Sequence, residues 1–230
     1  MIENQIQEID VLLTGASKFI GPQWARAGGS VLSPRFNFDW CVPGRPENFE
    51  GNSAAAGNLG FRVCYRDLDE ALSDHFSRKP VVGGKKIGLI ATPNVRHWPE
   101  AKEMMDSGGL SGVAIEKPLA HNVEDALNIA IRAKMLGIPT AVLPTYCGLL
   151  PNLEARHRIL FGGESEKIRG GRFAYLQGWL RKKLADMTDD EGRQQGMWRK
   201  NALLSGPAGA LGDIASHLLF QLAITSGLSI

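Results

Sequence analysis

Little in this sequence points to a charged partner, a metal or a membrane. Lysine and arginine (26) nearly balance aspartate and glutamate (24), leaving a net charge of +2. That is too small to hold nucleic acid or an anionic membrane surface by long-range attraction. The three cysteines, Cys41, Cys64 and Cys147, are odd in number and lack metal-ligand spacing. This argues against a disulfide framework and fits a reduced, cytoplasmic compartment. The N-terminus, MIENQIQEID, has no basic region followed by an apolar core, so no secretory leader is expected. No apolar run approaches the roughly 20 residues that span a bilayer. Internal repeats and low-complexity tracts are lacking as well.

What remains is an ordinary globular composition, 43% apolar and 22% charged, with 27 glycines suited to many tight turns. Short apolar runs alternate with helical patterns. Strands are expected at Ile9–Leu13, Phe36–Val42, Phe61–Tyr65, Lys86–Ala91, Val113–Ile115 and Thr140–Leu143. Helices are expected after Asp67 as N-cap, after Asn94 as N-cap, and from Asn122 to Leu136 with Gly137 as C-cap. In the last of these, Ala126, Leu127, Ala130, Ile131 and Ala133 are read as one apolar stripe. The stretch Glu50–Leu59 is read as loop leading to a short helix. Alternation of this kind implies parallel strands joined by right-handed crossovers. The first domain, residues 1–145, is therefore expected to be a doubly wound α/β sheet of the dinucleotide-binding type.

The phosphate loop of such a domain is only partly written. Gly15–Ala–Ser–Lys–Phe–Ile–Gly21 follows the first strand, but Ser17 stands where the motif has its second glycine. Gly15, Ser17, Phe19 and Ile20 are the candidate cofactor contacts there. No acidic residue stands at the tip of the second strand to select a ribose 2′-hydroxyl, and Arg45 lies in the loop beyond. The choice between NAD and NADP stays open.

Chemistry concentrates later. Val113–Ala–Ile115 runs into Glu116–Lys117–Pro118. A charged pair at the end of a buried strand is costly unless it faces a crevice, and in open α/β sheets the carboxyl ends of the strands do face the ligand crevice. Residues 146–230 form a second part. It holds a helix at Pro151–Phe161, a strand at Ile168–Trp179, a charged loop at 181–198 and a final helix, Leu211–Ile224. On that last helix Asp213 and His217 stand four residues apart and share a face.

Four motifs in order, Thr92–Pro93–Asn94–x–x–His97, Glu116–Lys117–Pro118, Glu166–Lys167–Ile168–Arg169 and Gly212–Asp213–Ile–Ala–Ser–His217, resemble those of the glucose–fructose oxidoreductase and inositol dehydrogenase-like family. The likeness covers nearly the whole chain, strongly from residue 87 and weakly before it. It implies a Rossmann domain binding NAD or NADP, followed by an α+β substrate domain. It implies hydride transfer on a sugar, polyol or related compound. Lys117, Asp213 and His217 take the catalytic positions, with Pro118 often cis. Thr92, Pro93, Asn94, His97, Glu116, Lys117 and Pro118 take cofactor positions. Tyr146, Trp179, Arg199, Lys117 and His217 take substrate positions. Family members continue past the position of Ile230, so the resemblance implies an incomplete substrate sheet, and unpaired edges favour a homo-oligomer. A non-catalytic reading on the same fold, as a cofactor sensor, a protein-binding module or an inactive truncated homologue, stands beside the enzymatic one.

Overall fold

The computed structural model describes residues 9–15, 23–24, 26–27, 36–41, 49–78, 84–144, 146–162, 172, 174 and 201–227. The chain divides into two compact units, residues 1–142 and 143–230.

In the first unit, short apolar runs become the strands of one sheet. They are β1 (Ile9–Thr14), β2 (Phe36–Cys41), β3 (Val63–Tyr65), β4 (Lys85–Ile90), β5 (Gly112–Glu116) and β6 (Thr140–Leu143). The sheet order is β3-β2-β1-β4-β5-β6. β1 pairs in parallel with both β2 and β4, β2 with β3, and β4 with β5. This is the doubly wound order, and the direction of winding reverses between β1 and β4. The helices are α1 (Phe49–Asn58), α2 (Leu68–His75), α3 (His97–Asp106, after a 3₁₀ turn at Asn94–Arg96) and α4 (Val123–Leu136). The inner faces of α2, α3 and α4 and the sheet share one core around Leu12, Ile90, Met104, Ile115 and Ile129.

Local chemistry sets the helix ends. The side chain of Asp67 accepts from the Glu70 amide and opens α2. Asn122 accepts from the Asp125 amide, and left-handed Gly137 closes α4. Lys86 lies inward on β4, where its ammonium donates to the main-chain carbonyls of His75 (2.6 Å) and Arg78 at the end of α2. Gly88 leaves room for α3, because a Cβ there would stand 2.7 Å from Met104 Sδ.

Three expectations need correction. Glu50–Leu59 is not mainly loop, since Phe49–Asn58 is a full helix. Its two internal glycines mask the helical pattern, and buried Ala56 anchors it to the core. Asn94 does not cap α3. It opens the 3₁₀ turn, and α3 begins three residues later with no side-chain cap. The stripe on α4 is two faces. Ile129 and Ala133 are buried, whereas Leu127 and Ile131 stand on the opposite, exposed side.

In the second unit, α5 (Leu150–Phe161), α6 (Ala202–Ser205) and α7 (Gly209–Ser226) are described. Arg156 on α5 donates to the Ile224 carbonyl of α7. The expected strand Ile168–Trp179 and the loop 181–198 lie outside the described residues. No helix among the described residues is long and apolar enough to cross a membrane.

Candidate functional site

Three strand ends meet at the winding reversal, and each carries a polar residue. β1 ends in Thr14 and Gly15. Gly15 has φ +77°, and a Cβ on it would lie 2.3 Å from the Ala91 carbonyl oxygen. No other residue fits there without moving the end of β4. The Ala91 amide donates to the Thr14 carbonyl (3.0 Å), which closes the seam.

Beneath the seam lies Glu100 of α3, fully buried. Its Oε2 accepts from the hydroxyls of Thr14 (2.7 Å) and Thr92 (3.0 Å), and its Oε1 accepts from Arg96 Nε (3.2 Å). Burial raises the carboxyl pKa, and the two threonine hydroxyls and Arg96 oppose that rise. Glu100 and Thr14 were not among the sequence candidates. The first of two glutamates in HWPEAKEMMD carries no sign of partners 86 and 8 residues away.

One helical turn before Glu100 is His97, also fully buried. Its Nε2 lies 2.8 Å from the Thr92 carbonyl oxygen, and its Nδ1 lies 3.0 and 3.3 Å from those of Pro118 and Leu119. Both ring nitrogens are thus spent on main chain, which leaves the ring to brace the site from below rather than touch a ligand. Burial is the largest cause pulling its pKa below the ordinary value. The three carbonyls oppose that, and the nearby Lys117 charge adds to it.

The β5 end completes the cluster. Glu116 is buried, and its carboxylate accepts from the Trp24 indole (3.1 Å) and from the Lys117 amide (3.2 Å). Trp24 is a third residue that the sequence reading missed. The Lys117–Pro118 bond is cis. Lys117 is half-buried, Pro93 is exposed, and Asn94 is buried at the turn after β4. Ser17, Phe19 and Ile20 lie outside the described residues.

In the second unit α7 turns its polar residues inward. Asp213 and His217 are buried while Leu211 and Leu219 are exposed. The Tyr146 ring meets the His217 ring edge-on, with centroids 4.8 Å apart. Trp179 and Arg199 lie outside the described residues. No group of residues suited to hold a metal ion occurs among the described residues.

No known family profile matches the chain, and no curated protein does. Solved structures do. An inositol dehydrogenase homologue from Azotobacter vinelandii, complexed with NAD+, is 21% identical with a TM-score of 0.71, over 95% of this chain and 54% of its own. A levoglucosan dehydrogenase complexed with NADH and levoglucosan is 23% identical with a TM-score of 0.67, over 96% of this chain and 55% of its own. An NAD-binding oxidoreductase from Klebsiella pneumoniae is 22% identical with a TM-score of 0.64, over 96% of this chain and 54% of its own. The class is therefore set by fold: this chain has the Rossmann-type fold of NAD-binding oxidoreductases like those its sequence resembles. It spans about half the length of the structures it matches.

Proposed function

We propose that this chain carries the cofactor-binding domain (residues 1–145) and the first part of the substrate domain (146–230) of an NAD(P)-dependent oxidoreductase acting on a sugar, polyol or related hydroxy compound. The observation that carries the reading is the cluster at the winding reversal: Gly15, the Thr92–Asn94 turn and Lys117 at three neighbouring strand ends. Ligands of doubly wound sheets bind at this point.

The residues fit a nicotinamide dinucleotide. Gly15, at φ +77°, lets the chain turn tightly against the end of β4, the part the first glycine takes in a dinucleotide-binding turn. The exposed Pro93 offers a small apolar wall at the end of β4. Lys117 brings a cation to the end of β5. When bound, the cofactor supplies the hydride acceptor or donor. Thr92, Pro93, Asn94, Glu116 and Pro118 shape that pocket together with Gly15, Ser17, Phe19 and Ile20, and His97 positions it.

In the oxidative direction His217 takes the hydroxyl proton of the substrate as the carbon gives up its hydride. Imidazole suits this transfer near neutral pH. Lys117, in the first unit, supplies a cation of the kind that steadies negative charge developing on a reacting oxygen. Asp213, on the same face of α7 as His217, orients the imidazole. Tyr146 packs on the His217 ring and limits its rotation, while Trp179 and Arg199 hold the rest of the substrate.

The test is reduced-nicotinamide absorbance across a panel of sugars and polyols, with NADH and NADPH binding followed by fluorescence. His217→Ala is expected to lower kcat by about 10²–10⁴-fold while leaving cofactor binding within a few-fold, and Lys117→Ala to lower kcat by a similar factor and to weaken cofactor binding as well. Cofactor binding without turnover on any substrate would replace this reading with that of a sensor. No binding at all would reject both.

A further inference from the structure

Arg96 stands where a helix has least use for a cation. It is the N-cap of α3, and the positive end of the helix dipole disfavours a guanidinium there. Its side-chain partner among the described residues is Glu100, four residues on. With the base before the acid, the pair runs in the less favourable order for a helix. Helix energetics therefore do not account for the pair.

The position of the pair does. Glu100 is fully buried, whereas the side chain of Arg96 is 46% exposed, so the contact runs from the interior to the surface. Arg96 Nε donates to Oε1 of Glu100 (3.2 Å), and Oε2 of the same carboxylate accepts from the hydroxyls of Thr14 and Thr92. The guanidinium is thus tethered one carboxylate away from the residue that precedes Gly15. Nε carries one of its five N–H donors, and the others stay on the two terminal nitrogens. The charges at this end of the sheet are layered in the same way. The acids, Glu100 and Glu116, are 0 and 6% exposed, while Arg96 is exposed and Lys117 is half-buried. The face that a ligand meets is the basic one.

We propose that Arg96 binds the pyrophosphate of the dinucleotide cofactor through its terminal nitrogens, with Glu100 as the buried anchor that sets where the guanidinium sits. The inference rests on the cofactor reading above and adds a contact absent from the sequence candidates. A guanidinium presents paired donors that match phosphate oxygens. Ser17 stands where the motif has the glycine through which backbone approaches the pyrophosphate. A cation at the neighbouring strand end supplies attraction that this turn lacks. It also cancels, at contact distance, the Glu100 charge that would otherwise repel the same ligand.

The experiment is fluorescence titration of NADH and of NADPH onto the whole chain, with ADP-ribose and adenosine as competitors. Arg96→Gln is expected to raise the Kd of NADH, NADPH and ADP-ribose alike, by about tenfold, and that of adenosine, which has no phosphate, by less than about twofold. For the wild type, added salt is expected to weaken NADH more than adenosine, because only NADH loses a screened charge contact. Unchanged NADH binding by Arg96→Gln would overturn the proposal. A loss confined to NADPH would place Arg96 at a 2′-phosphate instead, and an equal loss of adenosine would leave it a structural role alone; either result overturns the proposal while the cofactor reading stands. A wild type that binds neither dinucleotide would remove that reading, and this inference with it.

Discussion

Replacing Gly15 with alanine tests the frame of the site without any assumption about its ligand. Two penalties combine. The φ of +77° places the residue in the left-handed region, which costs a residue with a Cβ about 1–2 kcal/mol. The new Cβ would also stand 2.3 Å from the Ala91 oxygen, 2.4 Å from its carbon and 2.6 Å from the Thr92 nitrogen. All three are backbone atoms, so no rotamer change relieves the overlap. The β4 end must retreat, which strains the Ala91–Thr14 hydrogen bond and the seam beside it, at a further cost of about 1–3 kcal/mol. The expected loss is about 3 kcal/mol. Gly137 is the internal control: its φ is +65°, but nothing lies within 4 Å of a Cβ there. Gly137→Ala should cost only the left-handed term, about 1–2 kcal/mol. Urea titrations of both variants under the same conditions give the comparison. At a slope of about 2 kcal/mol per molar, Gly15→Ala should lower the midpoint by about 1.5 M, roughly twice the shift of Gly137→Ala. Equal midpoints would refute the claim that the β1 and β4 ends touch at Gly15.

Glu100 has a carboxyl pKa raised above its ordinary value of 4.5. The folded state therefore holds its proton longer than the unfolded state, and its contribution to stability falls as pH rises from about 4.5 through the folded value. Glu100→Gln should gain stability relative to wild type across that window, as read by urea midpoints at successive pH values; a flat difference would contradict the burial argument. His97 has the opposite sign. Its pKa is lowered from 6.5, so the unfolded state takes up the proton first and stability drains as pH falls below about 6.5. His97→Asn should flatten that acid limb even if it lowers stability at neutral pH. At the start of α4, Asn122→Ala should cost about 1 kcal/mol and Asn122→Asp much less, because the Asp125 amide loses its acceptor only in the first case.

Strand positions were the most legible part of this chain, because short apolar runs bounded by turn residues read as strands. Lys86–Ala91 and Thr140–Leu143 were placed within one residue of β4 and β6. Caps with a local mechanism, Asp67 and Asn122, were legible for the same reason: donor and acceptor lie three residues apart. What escaped depends on distance along the chain. α1 contains Gly51 and Gly57 and looks like a loop until its tertiary contacts appear. The two faces of α4 are both apolar, so periodicity alone could not say which one meets the sheet. In the site, Lys117 was legible from Glu116–Lys117–Pro118. Of the residues that hold its loop, His97 was named as a cofactor contact, whereas Trp24 was not legible, because its partner Glu116 is 92 residues away.

Those hidden partners change how the site is built. Lys117 does not owe its place to its own strand alone. His97 and Glu100 are three residues apart, so they share the face of α3 that looks up at the sheet ends. Glu100 ties the hydroxyl of Thr14, at the end of β1, to that of Thr92, after β4. His97 ties the carbonyl of Thr92 to those of Pro118 and Leu119, after β5. Thr92 is the common point, held through its side chain by one residue and through its carbonyl by the other. One turn of one helix thus fixes three strand ends relative to each other, and a shift of α3 would move the Thr92–Asn94 turn and the Lys117 loop together. A neutral imidazole has a single N–H, yet His97 faces acceptors on both sides. Burial keeps the ring neutral against the pull of those carbonyls. The price of bracing both loops with one ring is therefore one weak contact out of two, and protonation is what would strengthen it.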